Sequence, residues 1–121
     1  MWAHPNKPLI DVSNNIEFGA TPKLAFADRS MAEAIQGWVP GALVVKTLNL
    51  IPSGFMINPQ KNSLPPIQWM AGNDGRAKEV VRGLLGDLGW TEIHDLGGLE
   101  QTRVQEAIGL LLTAVVVSLT R

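Results

Sequence analysis

Apolar positions in this chain fall into two kinds of pattern. Short β-branched runs stop at small or polar residues, and longer stretches carry helical spacing. The run from Ala42 to Asn49 follows Pro40-Gly41 and precedes Pro52, which predicts a strand buried on both faces. Residues 8–14 predict a shorter strand whose tail, Ser13-Asn14-Asn15, is rich in turn-forming side chains. Residues 16–29, broken by Gly19 and Pro22, read as a loop. Ser30 and Glu33 form a capping box that opens a short helix to about Gly37. Residues 51–66 show no period and carry four prolines, so they read as a long connection. A strand at 67–71 then leads into Gly72-Asn73-Asp74-Gly75, where Asn73 or Asp74 would cap the next helix. In that helix Ala77, Val80, Val81, Leu84, Leu85 and Leu88 form the stripe expected to be buried, and Gly89 supplies a left-handed C-cap. The alternating segment 90–96 predicts a last strand at a sheet edge. Residues 99–120 predict a long helix, amphipathic at first and apolar all round in its second half.

Strands alternating with helices imply an α/β fold with a mostly parallel sheet of about four strands, closed by the long C-terminal helix. A length of 121 residues makes it a single domain, 1–121. With 17% charged and 45% apolar residues the chain is greasy for its size, which points to extra buried surface such as a subunit interface. The net charge of −1 offers nothing to neutralise phosphates, so nucleic acid is not an expected partner. The absence of cysteine excludes disulfides, thiolate metal sites and a cysteine nucleophile, and fits a reducing compartment. The first eight residues lack a signal-peptide core, and the longest greasy run, 107–119, is 13 residues where a span needs about 20. A soluble, cytoplasmic protein without a membrane partner is the expectation.

Candidate chemistry is sparse. His4 and His94 stand 90 positions apart in no ligand spacing, so no metal site is expected. His94-Asp95 reads either as an acid–base pair or as an exposed edge-strand histidine. No GxSxG elbow, no tyrosine and no GxGxxG turn occurs. Gly72-Asn73-Asp74-Gly75 could hold an anion, but Asp74 puts a negative charge there and suits a helix cap better. Arg76 and Lys78 read as a solvated face. Lys46, inside an apolar strand, must reach the rim or find carboxylates or carbonyls. Asn49 reads equally as a turn former or a ligand contact.

Five ordered segments carry a family resemblance. Ile10-Asp11-Val12-Ser13-Asn14 resembles a strand ending in D-x-[ST]-N, and residues 40–49 resemble a "PGA-x-VVKAFN" segment. Residues 70–78 match an "x-x-GDD-x-x-AK" turn. Residues 85–90, then Asp95-Leu96-Gly97 with 99–106, are similar to "L-x-x-LG[FW]…D-x-G-x-L-x-x-AR-x-x-E". Over about residues 9–110 the chain thus resembles the deazaflavin-dependent (coenzyme F-420-dependent) NADP oxidoreductases, whose fold the metalloreductase cytoplasmic domains share. The resemblance implies a partial Rossmann-like domain. Its second half would be residues 8–97 and the following helix 99–120, and the family's GxGxxG strand–turn–helix and two further strands would precede Leu9. Leu48, Asn15 and Leu50 stand where that family has phenylalanine, proline and threonine. By the same resemblance Ser13, Asn14, Lys46, Thr47 and Asn49 would line the cofactor-binding cleft, and NADP would be the cofactor, held only weakly by this chain alone. An oxidoreductase-like domain, inactive alone or completed by a partner, is one expectation. A non-enzymatic small-ligand-binding or homo-oligomeric module is the other. Either would associate as a homodimer or higher homo-oligomer, through the C-terminal helix or the open edge of the strand at 9–12.

Overall fold

A computed structural model of the chain describes residues 6–50 and 67–120; His4 and the connection read at 51–66 lie outside the described residues. The elements are β1 (Pro8–Asp11), β2 (Ile16–Glu17), β3 (Lys23–Leu24), α1 (Met31–Trp38), β4 (Leu43–Thr47), β5 (Ile67–Gly72), α2 (Gly75–Asp87), β6 (Glu92–Asp95), a 3-10 turn (Leu99–Gln101) and α3 (Thr102–Leu119). One sheet runs β1-β4-β5-β6, and β2 and β3 pair separately. β1 lies parallel to β4 and β5 parallel to β6, while the central β4–β5 pair is antiparallel. The expected mostly parallel α/β sheet is there, with a reversal at its centre. The carboxyl ends of β1 and β4 therefore share one end of the sheet with the amino ends of β5 and β6.

Successive β4 residues point to opposite faces. Val45 joins Met70, Ala77, Val81, Leu85 and Trp90 beneath α2. Val44 joins Ala32, Ala42 and Leu99 on the face that carries α1. The capping box holds as expected, with Ser30 Oγ accepting from Glu33 N and Glu33 Oε1 accepting from Ser30 N, both at 2.9 Å. Asp74 caps α2 by accepting from Ala77 N at 2.8 Å, and Gly89 takes a φ of 103°. Asn73, the other candidate cap, instead accepts from Leu99 N and ties the 3-10 turn to the end of β5. β6 sits at one sheet edge, as its alternation implies, and β1 forms the other.

Three readings need correction. The segment 16–29 is not simply a loop, because β2 and β3 pair within it. What organises it is Asn15, 2% exposed, whose side chain accepts from Phe26 N and donates to the carbonyls of Phe26 and Arg29. The α2 stripe is narrower than its apolar pattern: Ala77, Val81 and Leu85 are buried, but Val80, Leu84 and Leu88 stay open, since α2 meets the sheet along one line. Lys78 is not on a solvated face; it pairs with Asp95 at 2.9 Å.

α3 is turned inside out relative to an ordinary surface helix. Its buried residues are Thr102, Gln105, Glu106 and Gly109, whereas Val104, Ile108, Leu111, Val115 and Val116 face outward. Together with the 3-10 turn it forms a continuous helix over Leu99–Leu119, 21 residues with an 18-residue stretch of mean hydropathy 1.4, long and apolar enough to cross a membrane by length and composition. Its bounds agree with the helix expected over 99–120.

Arg103 on α3 grips Glu33 on α1 with two hydrogen bonds, Nε to Oε1 at 2.6 Å and the guanidinium nitrogen to Oε2 at 2.8 Å. The Arg103 hydrogen bond, with Ser30 N–H assisting, outweighs burial and holds the Glu33 carboxyl below its ordinary value of 4.5. A carboxylate whose folded value is depressed stabilises the fold above its unfolded value and loses that contribution as pH falls through the folded one. Thermal midpoints of the protein are therefore expected to drop more steeply below about pH 4.5 than those of Glu33→Gln. Equal slopes for the two proteins would remove this pair from the acid response.

Candidate functional site

Lys46 is fully buried at the centre of the polar interior. Its ammonium has three oxygens close by: Ser13 O at 2.6 Å, Glu106 Oε2 at 2.7 Å and Asp11 Oδ2 at 2.8 Å. The Asp11 contact is an ion pair without hydrogen-bond angles. Two carboxylates against one ammonium would leave a negative excess, and the amino end of α1 offsets it. Met31 N and Ala32 N donate to the two Glu106 oxygens at 2.7 and 3.2 Å, so the helix's free amides and dipole face that carboxylate. The other Asp11 oxygen accepts from Ser13 N and Ser13 Oγ. This cluster fixes the turn after β1.

The turn presents Asn14 to the end of β4. Asn14 Nδ2 donates to Asn49 O at 3.1 Å, and Asn49 Nδ2 donates to Asn14 Oδ1 at 3.0 Å and to Gln105 O at 3.1 Å. Leu48, just before, has a φ of 64°, a left-handed conformation that costs a leucine about 1–2 kcal/mol. Its buried side chain and its N–H bond to Gln68 Oε1 hold it there, which swings Asn49 toward α3. Gly109 makes room on the helix, since a Cβ there would collide with Asn14 Oδ1.

Beside this amide pair lies a cleft of about 420 Å³. Phe18, Leu50, Leu112, Thr113, Val116 and Val117 wall it, with Asn14, Asn49 and Gly109. That volume suits a small ring-bearing ligand. Among the described residues no titratable side chain lines the cleft. No hydrogen bond among the described residues reaches Asn49 Oδ1 or the second N–H of Asn14.

Of the five residues read from sequence, Ser13, Asn14, Lys46 and Asn49 come together on one face. Ser13 and Lys46 serve the buried cluster, and Asn14 and Asn49 line the cleft. Thr47 stands apart on the opposite face, where its hydroxyl donates to Trp69 O. The residues missed are Gln105, Glu106, Gly109 and Thr113, all on α3. The one available signal was Glu106 as the glutamate that ends the 99–106 segment of the resemblance. His94 is exposed against the Trp69 ring at 5.2 Å, and its neighbour Asp95 is committed to Lys78, so the two form no acid–base pair. Burial works against ionised Asp95, but Lys78, Gly97 N–H and Arg82 together hold its carboxyl below the usual value. No group of three or more His, Asp or Glu able to hold a metal ion occurs among the described residues.

No protein-family model and no curated protein matches the sequence. Solved structures do. A candidate F-420-dependent NADP-reductase from Arthrobacter sp. FB24 aligns over 90% of this chain with a TM-score of 0.81 and 34% identity. The chain resembles that reductase. A hypothetical protein from Sinorhizobium meliloti aligns over 78% with a TM-score of 0.63 and 30% identity. The chain spans only about half the length of each, 50% and 46%. The oxidoreductase-like, Rossmann-like relationship read from the five motifs therefore holds in three dimensions.

Proposed function

We propose that the chain forms the ring-binding part of an NADP-dependent oxidoreductase site, and that a second polypeptide element supplies the phosphate-binding part. The observation that carries this reading is the Asn14–Asn49 pair, with its spare donor and acceptor at the mouth of an apolar cleft. A nicotinamide carboxamide offers the complementary acceptor and donor, and the apolar walls suit a flat ring. The residues present fit that ring. They do not fit the pyrophosphate, because among the described residues no cationic side chain lines the cleft and the sequence has no GxGxxG turn. NADP, when bound, supplies hydride chemistry. The chain's own residues would orient the carboxamide through Asn14 and Asn49 and exclude water through Leu112, Val116 and Phe18. A small-ligand-binding module without chemistry would use the same cleft and is favoured by the same lack of phosphate contacts.

Titration with NADPH, followed by cofactor fluorescence, tests the reading. The expected response is saturable but weak, near 1 mM or about 4 kcal/mol of binding. Reduced nicotinamide mononucleotide should bind as tightly as NADPH within roughly threefold, because the extra phosphates find no partner here. Asn14→Ala should abolish both responses. Silence toward both molecules at millimolar concentration would sink ring binding by this chain alone. NADPH binding far tighter than the mononucleotide would sink the division into two parts.

A further inference from the structure

The outward face of α3 spaces Val104, Ile108, Leu111 and Val115 at intervals of four, three and four, the 3.5-residue period of a two-helix seam. These four are 42–58% exposed. Leu112, Val116 and Leu119 flank the seam and are 45–79% exposed. At the seam's amino end a recess of about 330 Å³, walled by Leu50, Trp69 and Leu96 with Val104 and Ile108, is open to receive side chains. We infer that this face is a homodimer interface, in which α3 packs against α3 of a second copy of the chain.

Three features single out a second copy as the occupant. First, the face is large enough. Its seven exposed side chains offer on the order of 600 Å², close to the roughly 800 Å² per partner of a standard interface before the recess is added. Second, the face is compatible with itself. From Ala107 to Thr120 no charged residue occurs, so two identical helices meet without repulsion and with no charge that would demand a different partner. Third, the opposite face of the helix is already spent. Glu106 is held by Lys46 and by the α1 amides, and Arg103 by Glu33, so the seam is fixed facing away from the domain. A lipid surface fits less well, because helices that lie on membranes carry Lys or Arg along their polar face and this stretch has none. The inference is independent of what the cleft binds. Leu112 and Val116 lie between the seam and the cleft, so the docked copy would border the cleft's outer rim.

Sedimentation equilibrium of the 121-residue chain tests the interface. The chain is expected to be a dimer at low micromolar concentration. Leu111→Glu/Val115→Glu should weaken dimerisation by about a hundredfold or more, with unchanged far-ultraviolet circular dichroism, because both side chains point to solvent in the monomer. The chain has no cysteine, so Leu111→Cys carries a unique thiol. Under mild oxidation it should cross-link to itself, while Arg76→Cys, exposed on α2, should not. A monomer at micromolar concentration would overturn the inference. A dimer unaffected by the double variant but broken by Ile10→Lys at the β1 edge would overturn it too. Co-flotation of the wild type with phosphatidylcholine or phosphatidylglycerol vesicles in place of dimerisation would overturn it in favour of lipid.

Discussion

Replacing Lys46 with methionine is expected to remove about 3–5 kcal/mol of stability, a large part of the roughly 5–15 kcal/mol that holds a domain of this size. The packing volume is nearly kept, so the loss comes from charge. Asp11 and Glu106, both nearly fully buried, would face each other without the ammonium now 2.8 and 2.7 Å from them. Urea denaturation would read the effect as a lower midpoint with an unchanged slope. A second variant separates this cluster from a replaceable ion pair. Converting a buried charged triad wholly to apolar residues is often neutral or stabilising. Here Lys46→Met/Asp11→Leu/Glu106→Leu should stay destabilised, because Glu106 also accepts from the amides of Met31 and Ala32 and Asp11 accepts from Ser13. Full recovery in the triple variant would mean that the carboxylates serve Lys46 alone.

Gly109→Ala should leave the fold standing and dismantle the cleft. An alanine in a helix interior is favoured over glycine by about 0.8–1 kcal/mol. The new methyl group meets Asn14 Oδ1, the far end of a side chain that can swing away, so no backbone need move. Swinging it away breaks both bonds between Asn14 and Asn49, each worth about 1 kcal/mol. Stability should fall by only about 1 kcal/mol, since the helix gain offsets about half of the loss of two hydrogen bonds. The side-chain amide resonances of Asn14 and Asn49 should shift strongly in nitrogen–proton spectra, and NADPH titration should lose its response. Unmoved amide resonances would show that the helix yields instead of the asparagine.

Much of this architecture was legible because it is written locally. The capping box at Ser30 and Glu33, the cap at Asp74, the glycine at 89 and the alternation before Gly97 each act within one turn of chain, and all appear where their chemistry put them. The antiparallel centre of the sheet was less legible, because strand direction depends on the connection and not on the strands. The β2–β3 pair hinges on Asn15 reaching residues 11 and 14 positions away, which no local pattern reveals. The candidate site divides in the same manner. Asn14 and Asn49 sit at strand ends, where polar residues after a β-branched run are conspicuous. Their partners on α3 were hidden, because periodicity marks the apolar face as the inner one and here the polar and small face is inside. For Lys46 the sequence posed the problem of a charge in a buried strand, and the solution, Glu106, lay 60 positions further on.

The Glu106 carboxylate on the amides of α1 also bears on the order in which the chain can mature. A ribosome delivers the chain from its amino end, so α1, β4 and the Asp11–Lys46 pair exist well before residue 106 does. Until then the first turn of α1 lacks its anion, Lys46 lacks one of its two carboxylates, and the Lys46 carbonyl and the Asn49 side-chain amide wait for Gln105, contacts that span 56 to 75 residues. The part of the domain that precedes α3 must therefore remain unfinished during synthesis until α3 leaves the exit tunnel. A nascent chain stalled before that helix emerges would be a substrate for chaperones and proteases rather than a smaller version of the domain.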